Sequence, residues 1–92
     1  MMAFHVYMLE CSDRSIYTGH TDNLEARLGA HRYGTARGYT ASRRPLRLLF
    51  TEEFASREEA LAAERQIKGW CRAKKLALAR GDWNEIQRLA RR

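Results

Sequence analysis

Five side chains have the types and spacing that hydrolysis of a phosphodiester bond requires. Tyr7 and Tyr17 are 10 residues apart, Arg27 follows after 10 more, and His31 comes 4 residues later. Glu64 belongs to a separate, later segment. The reaction needs a group that takes a proton from water, positive charge at the attacked phosphate and stabilisation of the leaving oxygen. These five residue types can supply each of those functions.

Each assignment depends on a property of the side chain. A free phenol has a pKa near 10, so Tyr17 needs nearby positive charge or a metal to act as a base. The guanidinium of Arg27 matches the geometry of a phosphate, and His31 can orient water or relay a proton. Glu64 can hold magnesium, which often binds through one carboxylate together with waters and phosphate oxygens.

Structural roles are open alternatives for the same side chains. Tyr7 can be a core tyrosine whose hydroxyl is hydrogen-bonded, and His31 alone would more often be structural. Glu64 can pair with Lys68 one helical turn away, and Arg27 can pair with a neighbouring carboxylate.

A β-hairpin and a third strand are predicted to position the tyrosines. Residues 3–11 are rich in β-forming side chains, residues 12–14 have turn chemistry, and residues 15–20 form the returning strand. A third strand is predicted over residues 46–54, after Pro45.

The length of the turn decides whether the two tyrosines share a face. A two-residue loop would place them on opposite faces of the sheet, because side chains alternate with a period of two. We predict that Cys11 lies opposite Ser15, which places both tyrosines on one face. The pairs that follow are Leu9 with Tyr17 and Tyr7 with Gly19.

The first predicted helix, over residues 23–31, is the one that carries Arg27 and His31. We expect Thr21 or Asp22 to cap it, with Glu25 as the capping-box partner of Asp22. The stripe that should face the sheet consists of Leu24, Arg27, Leu28 and His31.

Three more helices are predicted after the third strand. A capping box at Ser56 and Glu59 opens a helix that runs to about Trp70 and carries Glu64. Residues 72–80 form the next helix, which Gly81 should end, and Asp82 should cap a last helix over residues 83–89. Residues expected to pack inward are Ala60, Ala63, Ile67, Trp70, Leu76, Ala79 and Trp83. Arg91 and Arg92 are expected to fray.

Charge is distributed in blocks that indicate a polyanionic partner. The chain has 92 residues and a formal net charge of +6, and residues 26–51 contain six arginines and no acid. Residues 32–45 lack helical periodicity and alternate arginines with tyrosines, a mixture suited to phosphate contacts and base stacking. A solvated loop is the alternative. The residues expected to bind nucleic acid are His20, Arg37, Tyr39, Arg43, Arg44 and Lys68.

Several other classes of protein are disfavoured by the composition. Cys11 and Cys71 lack ligand-like spacing, which favours reduced thiols over a structural zinc site. The sequence has no export signal and no membrane span of roughly 20 apolar residues. We therefore expect one domain over residues 1–92, in the cytoplasm, with a core over about 4–80 and a C-terminal helix over 82–90.

The order of these groups resembles the GIY-YIG endonuclease family, and looks most like its small stand-alone bacterial members. The resemblance covers about residues 4–80, and its most specific part is Ile16-Tyr17-Thr18-Gly19, followed by Arg27 and by the helix that carries Glu64. The first motif departs from the family pattern, because His5-Val6-Tyr7 replaces Gly-Ile-Tyr. Thr18 replaces the isoleucine of the second motif. Both tyrosines are retained.

The resemblance implies an α/β (α+β) fold in which helices flank a three-stranded antiparallel sheet. It implies a single Mg²⁺ or Mn²⁺ held by Glu64, with Tyr17 at the nucleophile and Tyr7 supporting it. Arg27 would hold the scissile phosphate, and His31 occupies a position where relatives carry histidine or tyrosine. The implied activity is hydrolysis of DNA, in repair or processing.

Two questions about function stay open at the level of sequence. One alternative is a nucleic-acid-binding module or repair adaptor that has this fold and little or no turnover. RNA is a second substrate to consider, and a protein partner is a second source of specificity. A membrane-surface role is disfavoured, since the helices lack a strongly one-sided apolar face.

Overall fold

A computed structural model gives the fold of residues 3–90. Three antiparallel strands form one sheet in the order β2-β1-β3: β1 spans Phe4–Glu10, β2 Ile16–Thr21 and β3 Arg47–Phe54. Four helices complete the fold: α1 spans Leu24–Tyr33, α2 Arg57–Lys68, α3 Arg72–Arg80 and α4 Trp83–Ala90. The predicted sheet flanked by helices is confirmed.

The hairpin between β1 and β2 has the predicted register. Tyr7 lies opposite Gly19 and Leu9 opposite Tyr17. The turn is closed by the backbone N–H of Cys11, which donates to the carbonyl of Ser15 at 2.8 Å. The two tyrosine side chains therefore project from the same face of the sheet.

The N-terminal cap of α1 differs from the prediction. Asn23, and not Thr21 or Asp22, accepts a hydrogen bond from the backbone N–H of Ala26, at 3.1 Å. Strand β2 continues through Thr21, and Asp22 forms an ion pair with Arg57, 3.8 Å away. The helix consequently begins one residue later than a cap at Asp22 would allow.

The caps of the later helices agree with the predictions. The Ser56 hydroxyl accepts from the backbone N–H of Glu59 at 3.2 Å, and the carboxylate of Asp82 accepts from that of Glu85 at 3.1 Å. Gly81 ends α3 with a φ of 71°, a left-handed conformation that glycine adopts without strain.

One side of the sheet, here called the apolar face, packs against α2, α3 and α4. Val6 and Met8 are buried there. The helix residues buried against them are Ala60, Ile67, Ala77, Leu78 and Ile86. This is the hydrophobic core.

The predictions about inward-facing helix residues were partly right, because Ala79 packs against the core as expected whereas Trp83 is largely exposed. Helix α3 buries Ala77 and Leu78, while Leu76 is half-buried and Ala79 packs at the edge of the core. Trp83 is 60% exposed, because it is the first residue of α4 and lies at the surface. Trp70 does pack against the core, as expected. Fraying of Arg91 and Arg92 was predicted for positions outside the described residues.

The other side, here called the polar face, is covered by α1 and by the loop that follows it. Tyr7, Tyr17 and Gly19 are on this side, and the first helix brings Arg27 and His31 against them. Within residues 3–90, no helix is both long and apolar enough to cross a membrane.

Candidate active site

Tyr7 is the centre of a hydrogen-bonded cluster on the polar face. Its side chain has no solvent exposure. The hydroxyl lies 2.9 Å from Nε2 of His31, and Nε of Arg27 donates to the hydroxyl oxygen at 3.3 Å. Three of the five residues predicted to do chemistry are thus in direct contact.

The donors and acceptors in this cluster define a direction. Arg27 can only donate, so the oxygen of Tyr7 accepts from it and the Tyr7 hydroxyl is left to donate to Nε2 of His31. Nδ1 of His31 then carries the proton and donates to the hydroxyl of Thr40, 2.7 Å away. The imidazole is neutral in this arrangement and accepts from Tyr7.

The pKa values in the cluster are consistent with that arrangement. Burial raises the pKa of Tyr7 above its ordinary value, and the hydrogen bond from Arg27 opposes this effect. Burial lowers the pKa of His31, and the positive charge of Arg27 lowers it further. The pKa of Arg27 is raised, mainly by its hydrogen bond to Tyr7. Tyr7 is therefore a protonated phenol beside a neutral imidazole and a permanent cation.

Tyr17 is the partly exposed member of the cluster. Its ring centroid lies 5.4 Å from that of His31 and 6.3 Å from that of Tyr7. On another side Tyr39 stacks on it, with centroids 6.2 Å apart and ring planes 23° apart. Tyr17 thus separates the buried phenol from solvent.

Gly19 makes room for the Tyr7 hydroxyl. A Cβ at position 19 would lie 2.6 Å from that oxygen and 2.8 Å from the ring carbon that carries it. Those distances are far below van der Waals contact, so any side chain at position 19 would displace the phenol.

Glu64 is buried at the edge of the sheet, on α2. It is 8% exposed, and its carboxylate accepts from Nδ1 of His20 at 3.2 Å and lies 3.5 Å from the ammonium of Lys68. The expected pairing with Lys68 is present. His20 and Lys68, both predicted to bind nucleic acid, contact this carboxylate.

The two parts of the site meet at strand β2. Gly19 contacts Tyr7 on the polar face, and the next residue, His20, contacts Glu64 from the other side. Strand β2 is at the edge of the sheet, so both groups are adjacent to the same exposed margin. The candidate site wraps around this edge.

The donors around Glu64 fit a metal of one particular kind. Among residues 3–90, no group of three or more His, Cys, Asp or Glu side chains is placed to hold a metal. The one buried carboxylate, with an imidazole and an ammonium beside it, could hold a hard cation only if waters and phosphate oxygens supplied most of the ligands.

The arginine-rich loop is more ordered by internal contacts than a solvated loop would be. Arg43 pairs with Asp13 at 3.1 Å and lies 3.8 Å from the centre of the Tyr39 ring. Arg44 donates to the carbonyls of Arg32 and Ala41. Four residues of this loop were predicted to bind nucleic acid. Within the described chain, Arg37 is exposed and is the one of the four that has no hydrogen bond or ion pair of this kind.

Thr40 is the site residue that the sequence did not reveal. It is 1% exposed and orients His31. A hydroxyl in a loop without periodicity gives no signal of burial, so only its distance to His31 identifies it.

A groove on the described surface lies away from this cluster. It has a volume of about 350 Å³ and lies between the exposed edge of β3 and the helices of the apolar face. Its lining includes Phe54, Trp70 and Trp83 and contains no cluster of titratable groups. The groove is therefore not a candidate catalytic site.

The fold is a three-stranded antiparallel sheet flanked by helices, with a cluster of tyrosine, histidine and arginine on one face, and comparison with known proteins specifies the family. A family model described as the GIY-YIG catalytic domain matches residues 3–77. The chain therefore belongs to the GIY-YIG family, and GIY-YIG domains define a superfamily of nucleases.

Relatives and solved structures agree with this assignment. A UPF0213 protein of Staphylococcus haemolyticus is 42% identical over 85% of this chain and 95% of its own length. A UPF0213 protein of Haloquadratum walsbyi is 44% identical over 82% of this chain and 84% of its own length. An NMR structure of an E. faecalis protein is 37% identical, covers 88% of this chain and 86% of its own, and superposes with a TM-score of 0.63. The NMR structure of the UPF0213 protein of Bacillus halodurans is 43% identical, covers 84% of this chain and 82% of its own, and superposes with a TM-score of 0.55.

Proposed function

We propose that this protein is a metal-dependent endonuclease that hydrolyses DNA phosphodiester bonds, in DNA repair or processing in the cytoplasm. The observation that carries the proposal is the direct contact of a buried phenol, a guanidinium and a neutral imidazole on the polar face, next to Gly19 of β2, whose neighbour His20 contacts Glu64 from the other face. Membership of a nuclease superfamily supports the same reaction class.

The proton of the attacking water passes through Tyr7. Arg27 occupies a lone pair of the Tyr7 oxygen in the free protein. When Arg27 turns to the phosphate, a water can take the place that its guanidinium leaves at the Tyr7 oxygen and give its proton to that lone pair, while Tyr17 orients the water. The proton of Tyr7 moves at the same time to Nε2 of His31, which the hydrogen bond to Thr40 holds in the accepting tautomer.

Charge at the phosphate is balanced by the same arginine and by the site at Glu64. The guanidinium of Arg27 binds two non-bridging oxygens and stabilises the additional negative charge as the water oxygen bonds to phosphorus. Glu64 would hold Mg²⁺ or Mn²⁺, which when bound supplies Lewis-acid stabilisation of the attacked phosphate and the leaving oxygen. His20 and Lys68 hold the carboxylate in place.

The test is cleavage of flapped, branched, single-stranded and duplex DNA by wild type, Arg27→Ala and Glu64→Gln in Mg²⁺. We expect each variant to cut about 10²–10³-fold more slowly, because each loses an electrostatic contact to the transition state. Removing metal with EDTA should abolish cleavage, and Mn²⁺ should restore it. Arg57→Ala, which removes one surface cation paired with Asp22, is the matched control and should cut normally.

The alternative is a nucleic-acid-binding module without turnover, and two observations favour it. Tyr7 is fully buried, and the carboxylate of Glu64 is engaged by His20 and Lys68. Such a module would bind DNA or RNA without metal and would cut no member of the substrate panel. Equal cleavage rates for wild type and both active-site variants would contradict the endonuclease proposal.

A further inference from the structure

Tyr33 is the most exposed large aromatic side chain described, and none of the chemistry proposed above uses it. It is 81% exposed, whereas Tyr39 is 42% exposed and has Arg43 stacked on its ring. An aromatic ring with both faces in water costs free energy that burial against another flat group would recover.

The backbone that carries Tyr33 is firmly held. Tyr33 is the last residue of α1, and Gly34 ends the helix with a φ of 76°. The N–H of Gly34 donates to the carbonyls of Ala30 and His31. Because His31 contacts Tyr7 from the same helix, the backbone at Tyr33 has a fixed position relative to the candidate active site.

The segment of chain that carries Tyr33 is rich in positive charge without a paired carboxylate. Residues 26–51 contain six arginines and no acid. Arg43 and Arg47 pair with Asp13 and Glu10, and Arg27 is in the site. Within residues 3–90, the three arginines of this segment that have neither kind of partner are Arg32, Arg37 and Arg44.

One of those arginines, Arg44, is placed beside the backbone of Tyr33 by direct contacts, and Arg32 is the neighbour of Tyr33 in the chain. Arg44 donates to the carbonyl of Arg32, the residue before Tyr33. Its guanidinium also packs against Gly34, the residue after Tyr33, where a Cβ would lie 2.7 Å from the guanidinium carbon. Gly34 therefore provides both the turn and the space for the cation.

We propose that Tyr33, with Arg32, Arg37 and Arg44, forms a stacking site for an unpaired nucleotide of the DNA substrate. An exposed ring beside cations without carboxylate partners is the combination that binds single-stranded nucleic acid, since the ring stacks on a base and the cations contact the backbone. Bases inside a duplex present no free face. The inference rests on the proposed function and narrows its substrate class to DNA with a single-stranded segment, such as a flap.

Binding of a labelled single strand and of a blunt duplex, measured by fluorescence anisotropy in EDTA, tests this site. Tyr33→Ala should bind the single strand about 5-fold or more weakly, and Tyr33→Phe should bind like wild type. Tyr33→Leu should behave like Tyr33→Ala, because it is apolar and has no aromatic ring. Duplex binding should be the same for all four proteins.

The salt dependence separates stacking from charge. Tyr33→Ala removes no charge, so the slope of log Kd against log salt should stay at the wild-type value. Arg37→Ala should reduce that slope by about 0.7 on a single strand. Trp83→Ala, which removes another exposed aromatic ring on α4, is the matched control and should bind normally.

Two results would overturn the stacking site. One is unchanged single-strand affinity in Tyr33→Ala, and the other is an equal loss of affinity for single strand and duplex. Both measurements are made without metal, so they do not depend on turnover. If wild type cuts DNA but Tyr33→Ala binds normally, the stacking site alone is wrong; if nothing is cut but the aromatic ring matters for binding, the endonuclease proposal alone is wrong.

Discussion

The two faces of the sheet are stabilised by different physics. On the apolar face, Val6 and Met8 are buried among aliphatic side chains from three helices, and the stabilisation comes from removing apolar surface from water. On the polar face, Tyr7, His31 and Thr40 are just as fully buried, but they are joined by hydrogen bonds. A small domain has little interior to spare, and here four of the buried residues described are polar or charged.

The two faces should differ in how substitutions affect stability and activity. Apolar packing is non-directional, so a smaller aliphatic side chain weakens it without altering what the protein does. A hydrogen-bonded cluster has fixed donors and acceptors, and removal of one group leaves its partner unsatisfied in the interior. Stability and activity should therefore respond separately on the two sides of one strand.

The largest effect on stability should come from the apolar face. Leu78→Ala removes a side chain that is 4% exposed and should lower the free energy of unfolding by about 2–4 kcal/mol. DNA cleavage per folded molecule should not change, because α3 contributes no residue to the cluster. Urea unfolding and cleavage below the transition test both parts. A stable variant that no longer cuts would contradict the separation of the two faces.

Gly19→Ala should give the opposite result on the polar face. The new methyl would overlap the Tyr7 hydroxyl, so we expect a loss of about 1–3 kcal/mol in stability and severe loss of cleavage. Gly29→Ala, in the middle of α1, is the control. A Cβ there meets nothing within 4 Å, and alanine should stabilise the helix by up to about 1 kcal/mol. If both alanine variants cut DNA at the wild-type rate, cleavage does not depend on the observed position of the Tyr7 hydroxyl.

Thr40→Val tests the support of the imidazole. Valine keeps the shape but removes the hydroxyl that accepts from Nδ1 of His31, which should cost about 1–2 kcal/mol in thermal or urea unfolding. Thr35→Val is a control on the exposed part of the same loop, where the hydroxyl contacts only the carbonyl of Ala30. An equal effect of the two substitutions would mean that the buried hydroxyl has no special role.

The smallest effect should be a pH dependence of stability that comes from His31. The pKa of His31 is lowered in the folded state, so between that value and about 6.5 the unfolded chain binds a proton that the folded chain does not. The free energy of unfolding should therefore fall as the pH decreases below about 6.5. Unfolding curves of wild type and His31→Asn should be compared across that range, because the difference between their free energies of unfolding gives the contribution of His31. A difference that is constant with pH, or one of opposite sign, would contradict the assignment of a neutral imidazole.

Local patterns were sufficient to predict much of the fold. The register of the hairpin followed from the number of residues in its turn, and the capping box at Ser56 and the stop at Gly81 were found where the sequence placed them. The cap of α1 was wrong because Thr21, Asp22 and Asn23 are all good capping residues. The end of β2 and the ion pair of Asp22 decided among them, and neither is a local property.

Contacts between distant segments account for what the sequence could not give. His20 meets Glu64 across 44 positions of the chain, and Thr40 meets His31 from a loop without periodicity. The inward side of α3 was predicted only in part, since a nine-residue helix has too few turns to define one stripe and its orientation depends on α4. The roles predicted for Tyr7, Tyr17, Arg27, His31 and Glu64 stay predictions until cleavage is measured.

The short turn between β1 and β2 is exposed at residues 12–14, and its length decides the direction of the side chains that follow it. Cys11 closes on Ser15, and this odd-numbered connection is what directs Tyr17 to the side of Tyr7. Replacing Ser12 or Asp13 should be harmless to that alignment, whereas inserting or deleting a single residue would rotate every following side chain of β2 by half a period. Libraries of variants of this domain should therefore change the residue types in that turn and keep the number of its residues constant.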